Sequence, residues 1–171
     1  MRTYRRGFSL IELLVTLCVA CTLLSVSWPI ARDWIEREEL RTGIRAITST
    51  LHMARQQAVQ SGRTVTVNTG DGNWHTGWTL QTQGETEPSL IGNRLGKSLF
   101  SYSASTVSKA ILYRSDGTAK HPSGAFQAGT IYLCNNAGHR GSAIILAPSG
   151  RVRVESMSPC KKLPQHASTQ P

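Results

Sequence analysis

From Leu13 to Ala31 the chain runs nineteen residues without a charge. At ~1.5 Å rise per residue a helix of that length reaches roughly 28 Å, about one hydrocarbon core. Beyond it, Leu40, Ile44, Ile47, Leu51, Ala54 and Ala58 recur at steps of four and three, one apolar stripe along a helix. Arg37, Glu38, Arg41, Arg45, Arg55 and Gln56 lie mainly off that stripe. The pattern predicts one helix from about Phe8 to Gln60, stopped at Gly62, with Pro29 kinking or locally unwinding it. After Gly62 the period changes from helical to alternating. Strands are expected near 64–68, 78–81, 99–102, 110–113, 130–134, 142–147 and 151–155. Gly70-Asp71-Gly72-Asn73, Ser115-Asp116-Gly117 and Pro148-Ser149-Gly150 supply turn chemistry between some of them. The tail from Pro164 is polar. Short strands at this spacing predict a compact antiparallel head, so the fold class is α+β.

Charge adds a second division. The chain carries a formal net charge of +9 over 171 residues. Residues 109–171 hold eight basic residues against Asp116 and Glu155, a net of +6. A basic surface attracts polyanions, nucleic acid or anionic headgroups, or is simply a soluble face. Arg2, Arg5 and Arg6 precede the uncharged run with no acid among them, which keeps that end cytoplasmic and sends the head outside the inner membrane. Cys18 and Cys21 fall inside the apolar helix, where redox chemistry lacks solvent and context, so they read as packing residues. Cys134 and Cys160 lie in the exported head, an oxidising compartment. A disulfide between them closes a loop of roughly 25 residues, worth ~3 kcal/mol in the chain-entropy model. The spacing of His and Cys suggests no metal site, and no cofactor is implied. No nucleophile–base pair or phosphate loop argues for an enzyme.

Glu12 is the anomaly of the N-terminal helix. A carboxylate in an apolar segment costs roughly 2.5–3.5 kcal/mol unless it is paired or reaches the headgroups. Its neighbours are Arg5-Arg6-Gly7-Phe8-Ser9-Leu10-Ile11-Glu12, which resembles the processing signature of type IV pilins and pseudopilins. That resemblance implies cleavage by a prepilin peptidase after Gly7, methylation of the new N-terminus at Phe8, and pairing of Glu12 with the N-terminal amine of an adjacent subunit to set its register. It gives a leader over 1–7, a helix over 8–62 (8–31 in the membrane or fibre core, 32–62 amphipathic), a β-rich head over 63–163 and a tail over 164–171. An ordinary secretory signal ending at Ser25-Val26-Ser27 is opposed by Glu12 in its apolar core. A lipoprotein signal at Cys18 or Cys21 lacks the small residues it needs.

In the head, Gly77-Trp78, Ser115-Asp116-Gly117, Ile131-Tyr132-Leu133-Cys134 and Ser149-Gly150-Arg151-Val152-Arg153 resemble the FimT/FimU/GspH group, the minor pilins of type IV pili and minor pseudopilins of type II secretion. The resemblance covers roughly residues 5–160 and implies a long N-terminal helix packed on a β-sheet head. Residues 82–108 match no motif.

Residues 142–147 and 151–155 form an expected hairpin in which Arg151 and Arg153 share a face with Glu155, opposite Val152 and Val154. The Cα atoms of Arg151 and Arg153 stand about 6.7 Å apart, two strand rises, and two guanidinium forks side by side suit phosphate oxygens. Gly150-Arg151-Val152-Arg153 resembles the DNA-contacting motif of FimT-type minor pilins, which implies a backbone-driven, sequence-indifferent grip on double-stranded DNA at a pilus tip. Lys161 and Lys162 are expected close to that pair if Cys134–Cys160 forms, and Arg140 and His139, in a Gly-flanked loop, are expected to join them. The plain alternative is that alternating Arg and Val mark only a solvated strand face. Few aromatics are interleaved, so base stacking is not indicated. Two functions follow: a DNA-capturing minor pilin for natural transformation, or a tip-complex adaptor of a pilus or type II pseudopilus. The partners implied are other pilins, DNA, the peptidase and the inner membrane. The location is a single pass through the inner membrane with a periplasmic head, then an extracellular pilus.

Overall fold

The computed structural model describes residues 9–92 and 94–160, except for the side chains at 24 and 26–30. Gly7, Phe8, Lys161 and Lys162 lie outside the described residues. The chain divides into two compact units, Met1–Arg37 and Glu38–Pro171. Helix α1 spans Leu10–Ser61 and contributes to both.

In the first unit, α1 exposes Leu10, Ile11, Leu13, Leu14, Val15, Leu17, Val19 and Leu23. Cys18 and Cys21 are exposed thiols, and Glu12 is exposed near the helix start. Local unwinding at Pro29 does not occur, because α1 is helical without interruption from Leu10 to Ser61. A proline removes one N–H from the helix ladder, and the turns on either side carry the backbone past it. The expected span from Leu13 to Ala31 includes the side chains outside the described set. Among the described residues, no helix is long and apolar enough to cross a membrane.

The second unit is built on the apolar stripe. Leu40, Ile47, Leu51, Ala54 and Ala58 are buried and Ile44 packs against the same core. Gly43 lies on this face because the Leu133 and Leu99 side chains occupy the space a Cβ would need. Around the helix stand two antiparallel sheets, not one. Strands β1 (Val65–Asn68), β2 (Trp78–Thr82), β3 (Leu90–Gly92), β5 (Ala110–Tyr113) and β6 (Ala119–Lys120) form a five-stranded sheet in the order β3-β2-β1-β5-β6. Strands β4 (Leu99–Ser103), β7 (Gly129–Asn135), β8 (Gly141–Leu146) and β9 (Val152–Met157) form a four-stranded sheet in the order β4-β7-β8-β9. A short helix α2 (Ser105–Ser108) joins β4 to β5.

Polar groups in the core are matched to partners. The Trp78 indole N–H donates to the Thr50 hydroxyl at 3.0 Å, and that of Trp74 to the Val107 carbonyl at 3.0 Å. Buried Gln127 accepts from the Leu112 amide and donates to the carbonyls of Ala110 and Thr106, linking β5 to α2. Among the described residues two buried polar atoms lack a hydrogen-bond partner, His75 Nδ1 and the Tyr113 hydroxyl, and burial pushes the Tyr113 hydroxyl above its ordinary range.

The predicted strands are all present. Three elements in or near the unmatched stretch had no sequence signal. Strand β3 pairs with β2 where Gly92 leaves room for the Trp78 ring, β6 is two residues long, and α2 is a single turn.

Candidate nucleic-acid interface

The hairpin β8–β9 carries the basic candidates. Its turn closes through the Gly150 amide on the Ala147 carbonyl at 2.9 Å and the Ala147 amide on the Arg151 carbonyl at 2.9 Å. Gly150 has φ +77°, a conformation that disfavours any side chain. It is buried, and a Cβ there would overlap the Gly117 carbonyl oxygen. Gly150 therefore shapes the turn and offers no surface of its own. Strand β9 starts at Val152, so Arg151 is the last turn residue and not the first strand residue, though alternation still holds.

This turn is fixed from the helix. Arg55 donates its Nε to the Gly117 carbonyl at 2.9 Å and a terminal guanidinium nitrogen to the Ser149 carbonyl at 3.2 Å. The Ala119 amide donates to the Pro148 carbonyl at 3.2 Å. One side chain thus clamps the Asp116-Gly117 turn of one sheet to the Ser149-Gly150 turn of the other. The sequence pattern placed Arg55 off the apolar stripe and gave no sign of this role, since its partners are backbone carbonyls 62 and 94 positions away. The same contact brings the turn at Arg114 alongside, because Gly117 bonds back to the Arg114 carbonyl at 2.8 Å. Asp116 beside it accepts from Thr118, which holds its carboxyl below the usual 3.8.

The pairing Ile145↔Arg153 and Leu146↔Val152 turns Val152 towards the core and Arg153 to the opposite face. Arg153 and Glu155 are exposed on β9, the edge of its sheet, and Arg151 is exposed just before it. Arg153 and Glu155 form an ion pair at 3.3 Å with side chains 72% and 56% exposed. Such a pair is weak in water and leaves guanidinium N–H groups available.

The expected cluster splits in two. Arg140 precedes β8 at the end where Gly141 pairs with Met157, whereas Arg151 stands at the other end, opposite Ala147. Seven residues at ~3.3 Å each put them roughly 20 Å apart. The disulfide Cys134–Cys160 is present, with Cα atoms 6.1 Å apart. It packs over Gly141, and the Cys160 amide donates to the Gly138 carbonyl at 3.0 Å. It therefore pins the chain leading to Lys161 at the Arg140 end, away from Arg151. The expectation that Arg140 joins Arg151 is corrected by register, which puts them at opposite ends of the hairpin; Lys161 and Lys162 lie outside the described residues.

The family described as "Type II transport protein GspH" matches residues 43–150. The chain belongs to this family. A comparison with curated proteins found no match. Among solved structures, the type IV minor pilin FimU of Pseudomonas aeruginosa is similar at 21% identity, covering 75% of this chain and 99% of that one with a TM-score of 0.60. The minor pseudopilin EpsH of the Vibrio cholerae type 2 secretion system is similar at 12% identity, covering 72% and 99% with a TM-score of 0.51. The two structures share the fold: a long N-terminal helix with an antiparallel head. The protein is thus a minor pilin or pseudopilin of the FimT/FimU/GspH group, a group of structural subunits and not of enzymes.

Proposed function

We propose that this protein is a minor type IV pilin, incorporated at or near the pilus tip, that binds double-stranded DNA without sequence preference for uptake in natural transformation. The observation that carries the reading is the presentation of Arg151 and Arg153. They sit exposed on one face of an edge strand, beside a turn that Arg55 and Gly150 hold in place. Charge-assisted contacts of this kind grip phosphates and ignore bases. In this reading prepilin peptidase cuts between Gly7 and Phe8, Glu12 sets the register against a neighbouring pilin, and the protein waits in the inner membrane with its head in the periplasm. Arg140 stands apart from this pair, at the disulfide end of the hairpin.

A second reading is a tip-complex adaptor of a pilus or type II pseudopilus with no DNA role. It draws on the first unit, whose long exposed apolar surface needs lipid or partner helices, and on Glu155, which already engages Arg153. The two readings separate in the native host. With Arg151→Ala/Arg153→Ala, the DNA reading expects normal fibres with transformation lost. Normal transformation by that strain sinks the DNA reading and leaves the adaptor.

A further inference from the structure

The sheet register assembles something the linear sequence disperses. The face of the four-stranded sheet that carries Arg153 also carries Ile145 and Ala143 of β8, Thr130 and Tyr132 of β7, and Phe100 and Tyr102 of β4, since cross-strand partners share a face. On it, Tyr102 stacks on Tyr132 with ring centroids 4.6 Å apart and planes 17° from parallel. Phe100 extends the row, 6.2 Å from Tyr102 at 20°. All three rings are half-buried, so part of each stays open to solvent. Burial, followed by neighbouring Tyr132, pushes the Tyr102 hydroxyl above its ordinary 10.0, so it carries no negative charge against an approaching phosphate. Tyr132 and Arg153 stand two strands and one pleat apart. At ~4.8 Å between strands and ~3.4 Å rise, that is about 12 Å between Cα positions. Glu155 lies in the same row as Tyr132, paired with Arg153.

We infer that this face is a single-strand DNA platform: Arg151 and Arg153 hold the phosphates while the Phe100–Tyr102–Tyr132 row stacks unpaired bases. The inference rests on the reading of Arg151 and Arg153 as phosphate contacts and extends it from the backbone to the bases. Surfaces that combine basic groups along the backbone path with aromatic side chains on which bases stack bind single strands by this division of labour, and stacking tolerates any base because every base has a π-face. A duplex keeps its bases paired inside and offers the rings nothing but its ends. The ligand of the rings is therefore a single-stranded stretch of that DNA, such as a frayed end or a gap, while Arg151 and Arg153 take the phosphates of either form.

The test uses the full chain in neutral-detergent micelles, titrated by fluorescence anisotropy with a mixed-sequence single strand and a blunt duplex of equal length. The wild type is expected to bind the single strand at least tenfold more tightly at equal salt. Tyr102→Leu/Tyr132→Leu is expected to lose about tenfold for the single strand, the scale of a stacked base, and to change by under twofold for the duplex. Tyr132→Phe keeps the ring and should keep the preference. Equal affinity for both ligands, with duplex binding lost in Arg151→Ala/Arg153→Ala, overturns the platform and leaves the phosphate contacts standing. Binding of neither ligand overturns both. If the tyrosine variant does not fold, photo-crosslinking of a bromouracil-substituted single strand to the wild type decides: adducts within 99–103 or 129–135 support the platform, and adducts confined elsewhere refute it.

Discussion

The two ends of the β8–β9 hairpin are both basic and are held by unlike means. At the turn end, the backbone around Gly150 is fixed by hydrogen bonds from Arg55 and by a glycine conformation that no other residue takes without strain. At the other end, the Arg140 amide donates to the Asn135 side chain at 3.1 Å and its carbonyl accepts from the Asn135 amide at 3.0 Å, and a covalent bond, Cys134–Cys160, ties the adjoining chain down beside them. The first end is held by hydrogen bonds alone and the second by hydrogen bonds and a crosslink. Positive charge that looks like one block in the sequence therefore becomes two sites with different sensitivities.

That contrast is breakable from either side. The largest effect belongs to Gly150→Ala, which combines a strained φ with overlap on the Gly117 carbonyl; it should cost about 4 kcal/mol in thermal or denaturant unfolding. A loss under 1 kcal/mol would show that the turn relaxes freely. Cys134→Ser/Cys160→Ser should cost about 3 kcal/mol, with amide exchange rising around Arg140 and staying unchanged at Arg151; equal loosening at both ends would dissolve the distinction. Arg55→Met removes two charge-assisted hydrogen bonds while keeping the aliphatic stem, and should cost about 2 kcal/mol, with increased exchange at the amides of Gly117 and Gly150. Glu155→Gln frees Arg153 from its ion pair and should tighten duplex binding two- to threefold with no change in melting temperature, since exposed pairs are worth about 0–1 kcal/mol. Weaker binding would mean that Glu155 positions Arg153 instead of competing for it. The smallest effect is at Asp116. Its folded pKa lies below the ordinary 3.8 because Thr118 donates to it. Its contribution is present above pH 3.8 and is lost as pH falls through the lower folded value. The Thr118 amide resonance should titrate with a midpoint below 3.8; a midpoint above it would contradict the hydrogen bond.

The long helix, its buried stripe and seven strands were legible because each is a local periodicity. Leu40, Ile47, Leu51, Ala54 and Ala58 repeat at helical spacing, and all are buried. Strand β3 was not legible, since its pairing depends on Gly92 accepting the Trp78 ring. Nor was the division into two sheets, a property of pairing that composition does not carry. The arginines of the candidate site stood out by alternation, but their neighbours did not. Arg140 was grouped with Arg151 by proximity in sequence, and register separates them. Phe100, Tyr102 and Tyr132 gave no such signal because they lie on two other strands, 19 to 53 positions from the arginines they share a face with. Arg55 escaped notice because its ligands are carbonyls, which leave no trace in side-chain patterns.

The most direct test of the account is the salt dependence of duplex DNA binding by the full chain in neutral-detergent micelles, comparing wild type, Arg151→Ala/Arg153→Ala and Arg140→Ala. Each lost phosphate contact should lower the slope of log affinity against log salt by about 0.9. The account predicts a slope reduced by about 2 and much weaker binding in the double variant, with Arg140→Ala close to wild type. A double variant that binds like the wild type, or an Arg140→Ala loss as large as that of the pair, would contradict the assignment of the DNA grip to the turn end of the hairpin.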